Sequence, residues 1–593
     1  MINRTTKLRW RRKFRIKKRQ VEDMGSQAEE HFEKHFFKRL ARLSGVRRFV
    51  IGWIVLLLFC AGGIAFQMRS LSSDFQTTVP AEGGVYSEGI IGAFTNANPI
   101  YASGAVDNSV SRLIFSGLLT YDQTNNLVGD LAESWSVDEE GLVYTVVLKP
   151  NIVWHDGEPL TSKDVVFTYR TIQNPDAKSP LLSSWRGIQI EAKDDRTIIF
   201  TLPNVLSSFP YALTNGIVPK KHLDQVPAAQ LRSAKFNTLQ PVGSGPFKLD
   251  KIEVTGRNAE DRVEQIGMIP FADYYNGAPK IDRFIIKSFR NEEAMLASFE
   301  NRQINSMSGL DTLPDNIKDK EVINEFNIPL TGQVAVFFKN SEGILEDAKV
   351  RQALVQSASP SEIIMGLQYP VVVSDSPLLT SHLGYDKNIR QLSTNIEAAK
   401  ALLEEAGWKI GDDGYRVKDG KKLTIRLYSR NTSEYTHVSQ KLQDQWRAVG
   451  VEVKSYLQPN DELEGTIARH EYEALLYGIA LGLDPDVFPY WHSSQADIRA
   501  PNRSNFSEYK SEVADKSLEA GRTRSDPQIR VIKYKPFLEA WRTDAPALAL
   551  YQPRYLYVTR GKVYGLEPNQ MNVATDRYAN VASWQIIEKK VNK

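Results

Sequence analysis

Residues 153–169 read VWHDGEPLTSKDVVFTY. His155 beside Asp156, with a second carboxylate at Asp164, is a residue set able to move protons or hold a metal. The same residues also have structural uses. Asp156-Gly157 is a turn dipeptide. Pro159 keeps the chain extended ahead of the next element. Thr161 and Asp164 stand at N-cap and N3 spacing, where hydroxyl and carboxylate satisfy free amides at a helix start. Val165, Tyr169 and Ile172 then recur at helical spacing, and Trp154 reads as core. Local physics favours architecture over catalysis here.

No other set restores an enzymatic reading. The sequence has no Gly-x-Ser-x-Gly elbow, no Lys-bearing phosphate loop and no His-Glu-x-x-His. Its eight histidines are scattered, although His31 and His35 are close enough to share a helix face. Asp412-Asp413 and Asp484/Asp486 fall in turn-like settings. Cys60 is the single cysteine, which excludes an intrachain disulfide, a multi-cysteine zinc site and a cysteine-held iron–sulfur cluster. The expectation is a non-enzyme with no cofactor and no metal.

The elements that position these residues belong to a large chain. Its 593 residues exceed one ordinary core, and its 42% hydrophobic and 24% charged content is that of a globular protein. The net charge of +3 hides a split. Residues 1–50 hold 16 basic against 5 acidic residues, leaving 58 against 66 in the remainder. The basic character belongs to the leader, 1–48, where KLRWRRKFRIKKRQ suits topogenic charge or anionic lipid better than nucleic acid.

Residues 49–66, FVIGWIVLLLFCAGGIAF, carry no charge. Eighteen residues at helical rise span roughly 27 Å, enough for a membrane's hydrocarbon core. Arg47 and Arg48 precede them, so positive-inside bias predicts a cytoplasmic leader and an extracytoplasmic body. An uncleaved signal anchor is favoured. Cleavage near Ala65 and lipidation at Cys60 stay open, although bulky Phe59 spoils the lipoprotein pattern. Residues 67–83 read as a polar tether.

Strand signals follow at 144–149, 197–202, 283–289, 334–340 and 423–429. A helix is predicted at 395–406, capped by Thr394 with Glu397. Ala398, Leu402, Leu403 and Ala406 form its inner face, and Gly407 its stop. A second, about 434–449, buries Val438, Leu442 and Trp446 and ends at Gly450. Strand 451–457 completes a β-α-β unit, which implies a parallel or mixed sheet covered by helices.

The stretch NLVGDLAESWSVDEEGLVYTVVLKPNIVWHDGEPLTSKDVVFTY resembles the signature region of the family 5 extracellular solute-binding proteins, the peptide-, dipeptide- and nickel-binding components of ABC importers. ANPIY (97–101), IFSGLLTYD (114–122), PVGSGPFKL (241–249), YYNGAPKIDRFIIKSF (274–289), KVRQAL (349–354), AKALLEEAGW (399–408), AVGVEV (448–453), LDPDVFPYWHSS (483–494) and DAPALALY (544–551) continue the likeness in order. It covers about 85–590. It implies an α/β, two-lobed periplasmic-binding-protein-like (Venus flytrap) clamp with a small domain inserted in lobe I. The one N-terminal transmembrane helix precedes it. Lobe I would take 84–325, with the insert at about 122–205. Lobe II would take 326–545, and 546–593 would return to lobe I. The crossings are expected near 325–333 and 540–550.

The resemblance also implies site residues. Phe94, Asn96 and Asn98 would come from the first strand-loop and Trp185 from the insert. Tyr477, Gly478, Ile479, Ala480 and Leu481 would come from the strand before the Asp-Pro turn, with Asp484 and Trp491 beyond it. In peptide binders of the family an aspartate four residues before the proline pairs with the ligand's amino terminus. Leu481 stands there, which counts against a free-amine peptide. Arg351 fits the VRQAL helix structurally. Ser359-Pro360 replaces the usual Asp-Arg.

The function implied is capture of a peptide or peptide-like solute in the interlobe cleft for ABC permease subunits. The protein would be a monomer, anchored to the bacterial membrane through 49–66, with no nucleic-acid partner. The alternatives are a sensory or scaffolding receptor of the same fold and a binder of a non-peptide ligand such as a metal chelate.

Overall fold

The computed structural model describes residues 47–592, apart from 257–261, 311, 319–321, 368, 370, 498, 501–502, 525 and 568–569. The leader 1–46, with His31 and His35, lies outside the described residues. Two compact units result, Met1–Val79 with Glu588–Lys593, and Pro80–Ile587.

In the first unit a helix runs Arg47–Phe75. Its apolar stretch leaves Phe49, Trp53, Leu57, Leu58, Phe59 and Phe66 more than half exposed. Among the described residues no helix is long and apolar enough to cross a membrane. The side chains of Val50 and Ala65, inside the expected span, are not among those described. Within 67–83, expected as a polar tether, the helix continues to Phe75 and strand Gln76–Ala81 follows. Residues 67–75 hold no proline or glycine, and extending a helix is far easier than starting one.

The second unit holds two large mixed sheets. One has seven strands in spatial order Ile323–Pro329, Arg554–Arg560, Ser306–Leu310, Val85–Ile91, Arg283–Phe289, Val263–Pro270 and Phe247–Thr255. The other has six: Val372–Val373, Ala547–Gln552, Gly332–Phe338, Ala474–Ala480, Thr424–Arg430 and Glu452–Gln458. Strand Thr424–Arg430 lies parallel to both Glu452–Gln458 and Ala474–Ala480, so the β-α-β expectation is met by helix Ser433–Arg447. Its Val438, Leu442 and Trp446 are fully buried. The five strand signals correspond to Val143–Leu148, Thr197–Thr201, Arg283–Phe289, Gly332–Phe338 and Thr424–Arg430.

The chain crosses between the sheets at 330–331 and again at Pro553, and the two crossings bond to each other, Leu330 N to Pro553 O at 2.8 Å. The return therefore falls beyond the expected 540–550. Strand Ala547–Gln552 still belongs to the second sheet, between Val372–Val373 and Gly332–Phe338, and Ile323–Pro329 still belongs to the first. Proline cannot donate to a ladder, so it suits the break between the two runs.

Within the first lobe a four-stranded antiparallel sheet forms a satellite: Ala132–Val137, Val143–Leu148, Thr197–Thr201 and Gln189–Ala192. In the second lobe the helix predicted at 395–406 spans Ile396–Glu405. Asn395, not Thr394, caps it, accepting from Ala398 N at 3.0 Å. Thr394 instead donates to Ala358 O. The inner face of the helix is Ala399, Leu403 and Ala406, with Leu402 packed against the same core and Ala398 only half-buried.

Candidate functional site

The opening motif serves as a brace. Helix Ser162–Gln173 begins with the Thr161/Asp164 capping box, and Asp164 also accepts from Lys220 N at 2.9 Å. Trp154 is buried. Asp156 pairs with His222 at 2.8 Å. His155 Nδ1 accepts from Gly243 N at 3.2 Å, and its Nε2 faces Gly245 O at 3.0 Å. These bonds fix the neutral ring with its proton on Nε2. Burial drives its pKa down to about 4, outweighing the Gly245 carbonyl, which favours the proton.

Gly243 and Gly245 lie against the end of helix Ala105–Ile114. A Cβ at Gly243 would stand 1.9 Å from Ile114 O, and one at Gly245 2.6 Å from Ile114 C. Gly245 N donates to Ile114 O at 2.8 Å. Only glycine permits this approach. His155 thus pins, through two glycines, a helix whose other face lines a cavity.

That face opens on a cavity of about 870 Å³ between the lobes. The first lobe supplies Asn108, Arg112, Trp185, Tyr211, Ser308 and Tyr555, among others, and the second supplies Arg430 and Asn460. Arg430 ends strand Thr424–Arg430, and Asn460 follows strand Glu452–Gln458. The cavity therefore meets the second sheet at the carboxyl ends of parallel strands, where open α/β sheets place ligands. Arg430 Nε is shielded from solvent without an acceptor. Arg112 is engaged: it donates to Thr120 Oγ1 at 2.5 Å and lies 3.7 Å from Asp130. Burial raises the pKa of Asp130, although Arg112 and the Tyr275 hydroxyl oppose this.

The lobes also touch directly. Ser207 N and Oγ both donate to Arg522 O at 3.1 Å, and Ser208 Oγ to Asp486 at 3.2 Å. Arg522 pairs with Asp486 at 3.0 Å and covers the Phe488 ring at 4.1 Å. Burial raises the pKa of Asp486 against that arginine's pull.

Among the residues expected at the ligand, Trp185 lines this cavity, with its ring stacked 3.9 Å from Tyr169. Phe94 is half-buried and donates its N–H to Glu264. Asn96 and Asn98 are spent inside the first lobe, on Asn98 N and Arg232 O, and on Ile100 N and Asn237 respectively. Tyr477 packs edge-on to Phe506. A side chain at Gly478 would crowd the Tyr435 hydroxyl, 3.0 Å away. Ile479 and Leu481 are buried, and Ala480 is exposed with its carbonyl accepting from Tyr490. Leu481 N donates to Thr331 O at the crossing. Asp484 holds Arg530 with both oxygens, at 2.7 and 2.9 Å. Burial pushes the Arg530 pKa down, but Asp484 outweighs it and the net shift is upward. Trp491 is fully buried beside Phe337 and Trp541. Arg351 bonds the Asp544, Leu345 and Glu346 carbonyls, a structural role.

Sequence reasoning missed Arg430, Arg112, Asn108, Tyr211, Ser308, Asn460 and Tyr555. Arg430 had a usable signal, as a cation closing a predicted parallel strand ahead of a helix. Among the described residues no group of three or more histidine, cysteine or acidic side chains is placed to hold a metal ion.

A two-lobed α/β clamp with its cleft at the crossing strands defines a solute-binding architecture. The model of the bacterial extracellular solute-binding proteins, family 5, matches residues 126–499, and the chain belongs to that family. Oligopeptide-binding protein AppA of Bacillus subtilis (strain 168) is 28% identical over 514 residues, covering 84% of this chain and 92% of that protein. Its structure with a nonapeptide is similar at a TM-score of 0.69 and 26% identity, over 86% of this chain and all of that one. The structure of NikZ from Campylobacter jejuni with Ni(L-His) gives 0.72 and 26%, over 85% and 99%. The relatives are solute-binding proteins.

Proposed function

We propose that this protein captures a peptide or peptide-like solute between its lobes and delivers it to the permease subunits of an ABC importer. The observation that carries the reading is the interlobe cavity with Arg430 at a strand end and no acceptor for its Nε. A ligand carboxylate there would receive charge-assisted, forked hydrogen bonds. Closure would require nothing beyond tighter binding to the closed state. The peptide named with AppA supports the class of ligand. The chelate named with NikZ favours a second reading, a metal chelate.

Residues 49–66 serve in this reading as a retained membrane anchor, with the clamp outside the cell. Their charge-free composition and the preceding arginines support it. Membrane fractionation with protease protection tests the anchor: a clamp digested in intact spheroplasts agrees, and a clamp released by high salt does not. Titration of full chain with a defined peptide mixture tests the ligand. Bound peptide lost on Arg430→Gln supports the reading. Peptide retained equally by the variant removes Arg430 from it, and turnover of peptide would replace binding with hydrolysis.

A further inference from the structure

We propose that the cleft selects an acidic solute whose amine end is blocked or missing, and disfavours a free ammonium. This deepens the solute-binding reading and rests on it. Among the described residues lining the cavity, the charged side chains are Arg112 and Arg430, both cationic.

The carboxylates nearby are already committed. Asp130 faces Arg112 and accepts from Tyr275. Asp107 accepts from Thr95 and Asn96 amides, and Asp576 from Asn572 and Val573 amides. Glu88 is buried against Arg577, and Glu434 accepts from Tyr369 and Tyr551. Asp484 and Asp486 hold Arg530 and Arg522. Asp461 is exposed in the first turn of helix Asn460–Arg469, where the helix dipole favours an anion.

An ammonium drawn into this cleft would lose its water and gain no carboxylate. It would also sit in the field of Arg430, which repels it, while Arg112 is offset by Asp130. A carboxylate meets Arg430, whose Nε is buried with no acceptor from the protein itself. The neutral wall of Asn108, Ser308, Tyr211 and Asn460 hydrogen-bonds amides and hydroxyls without requiring charge. N-acylated peptides and amino-acid-derived polyacids fit this chemistry.

The test uses full chain in detergent and one synthetic random peptide mixture, half left with free amino termini and half isotopically labelled and N-acetylated. Mass spectrometry reads the retained pairs. Retention of acetylated members at tenfold or more over their free partners is the expected result. Asn460→Asp, which adds a carboxylate of nearly the same size to the cavity wall, should reverse or erase that preference, while Asp461→Asn should leave it. Equal or better retention of free-amine members by the unmodified chain overturns the proposal. Retention of neither half by a chain with normal melting overturns the peptide reading itself. Preserved acetyl preference in a folded Asn460→Asp variant also counts against it.

Discussion

Replacing His155 tests whether the opening motif braces the fold or touches ligand. An unfolded histidine titrates at 6.5, and His155 in the fold is pushed down to about 4. The fold therefore refuses a proton that the unfolded chain accepts. Its contribution is complete above pH 6.5, is lost as pH falls towards 4, and changes no further below that. The gap corresponds to about 3 kcal/mol, and partial access of the ring to water reduces this to about 2–3 kcal/mol. His155→Gln removes the titration while keeping a donor for Gly245 O. Urea unfolding of both proteins, followed by tryptophan fluorescence, gives the stabilities. The stability advantage of the native histidine at pH 7 should shrink by about 2–3 kcal/mol at pH 4, with ligand affinity at pH 7 within a factor of two. An advantage independent of pH would refute the burial argument. A large affinity loss without a stability loss would place His155 at the ligand.

Asp484→Ala strands Arg530 in the interior and should cost about 3–5 kcal/mol by chemical denaturation, with affinity preserved at temperatures where the variant stays folded. Ser208→Ala removes one direct bond between the lobes. We expect a more open envelope by small-angle X-ray scattering and an affinity two- to tenfold weaker, matching about 0.5–1.5 kcal/mol for one hydrogen bond. Gly243→Ala drives a methyl group into the Ile114 carbonyl and should lower melting more than Asp484→Ala or Ser208→Ala, because the contact is with backbone that cannot move aside.

Most of the secondary structure was legible because its signals are local. Strand 283–289 and the helix burying Val438, Leu442 and Trp446 announce themselves within one window of sequence. The capping box at Thr161 and Asp164 is equally self-contained. The return crossing was less visible, because ALALYQPRYLYVTR reads as one β-rich segment, and only Pro553 marks the change of sheet. The cavity was least legible. Arg112, Ser308, Arg430, Asn460 and Tyr555 are spread over more than four hundred residues, and no periodicity links them. The residues carried over by resemblance cluster instead on strand Ala474–Ala480 and its turn. There, packing and ion pairs account for Asp484 and Trp491.

The central claim is that this chain captures a solute and does not transform it. Native mass spectrometry of the full chain, compared with the small molecules released on denaturation, addresses it most directly. The account predicts a bound acidic, peptide-like mass, released unchanged and rebound by the emptied protein with one ligand per chain. A chain that rebinds nothing from its own released fraction, or that returns that fraction cleaved, would contradict it.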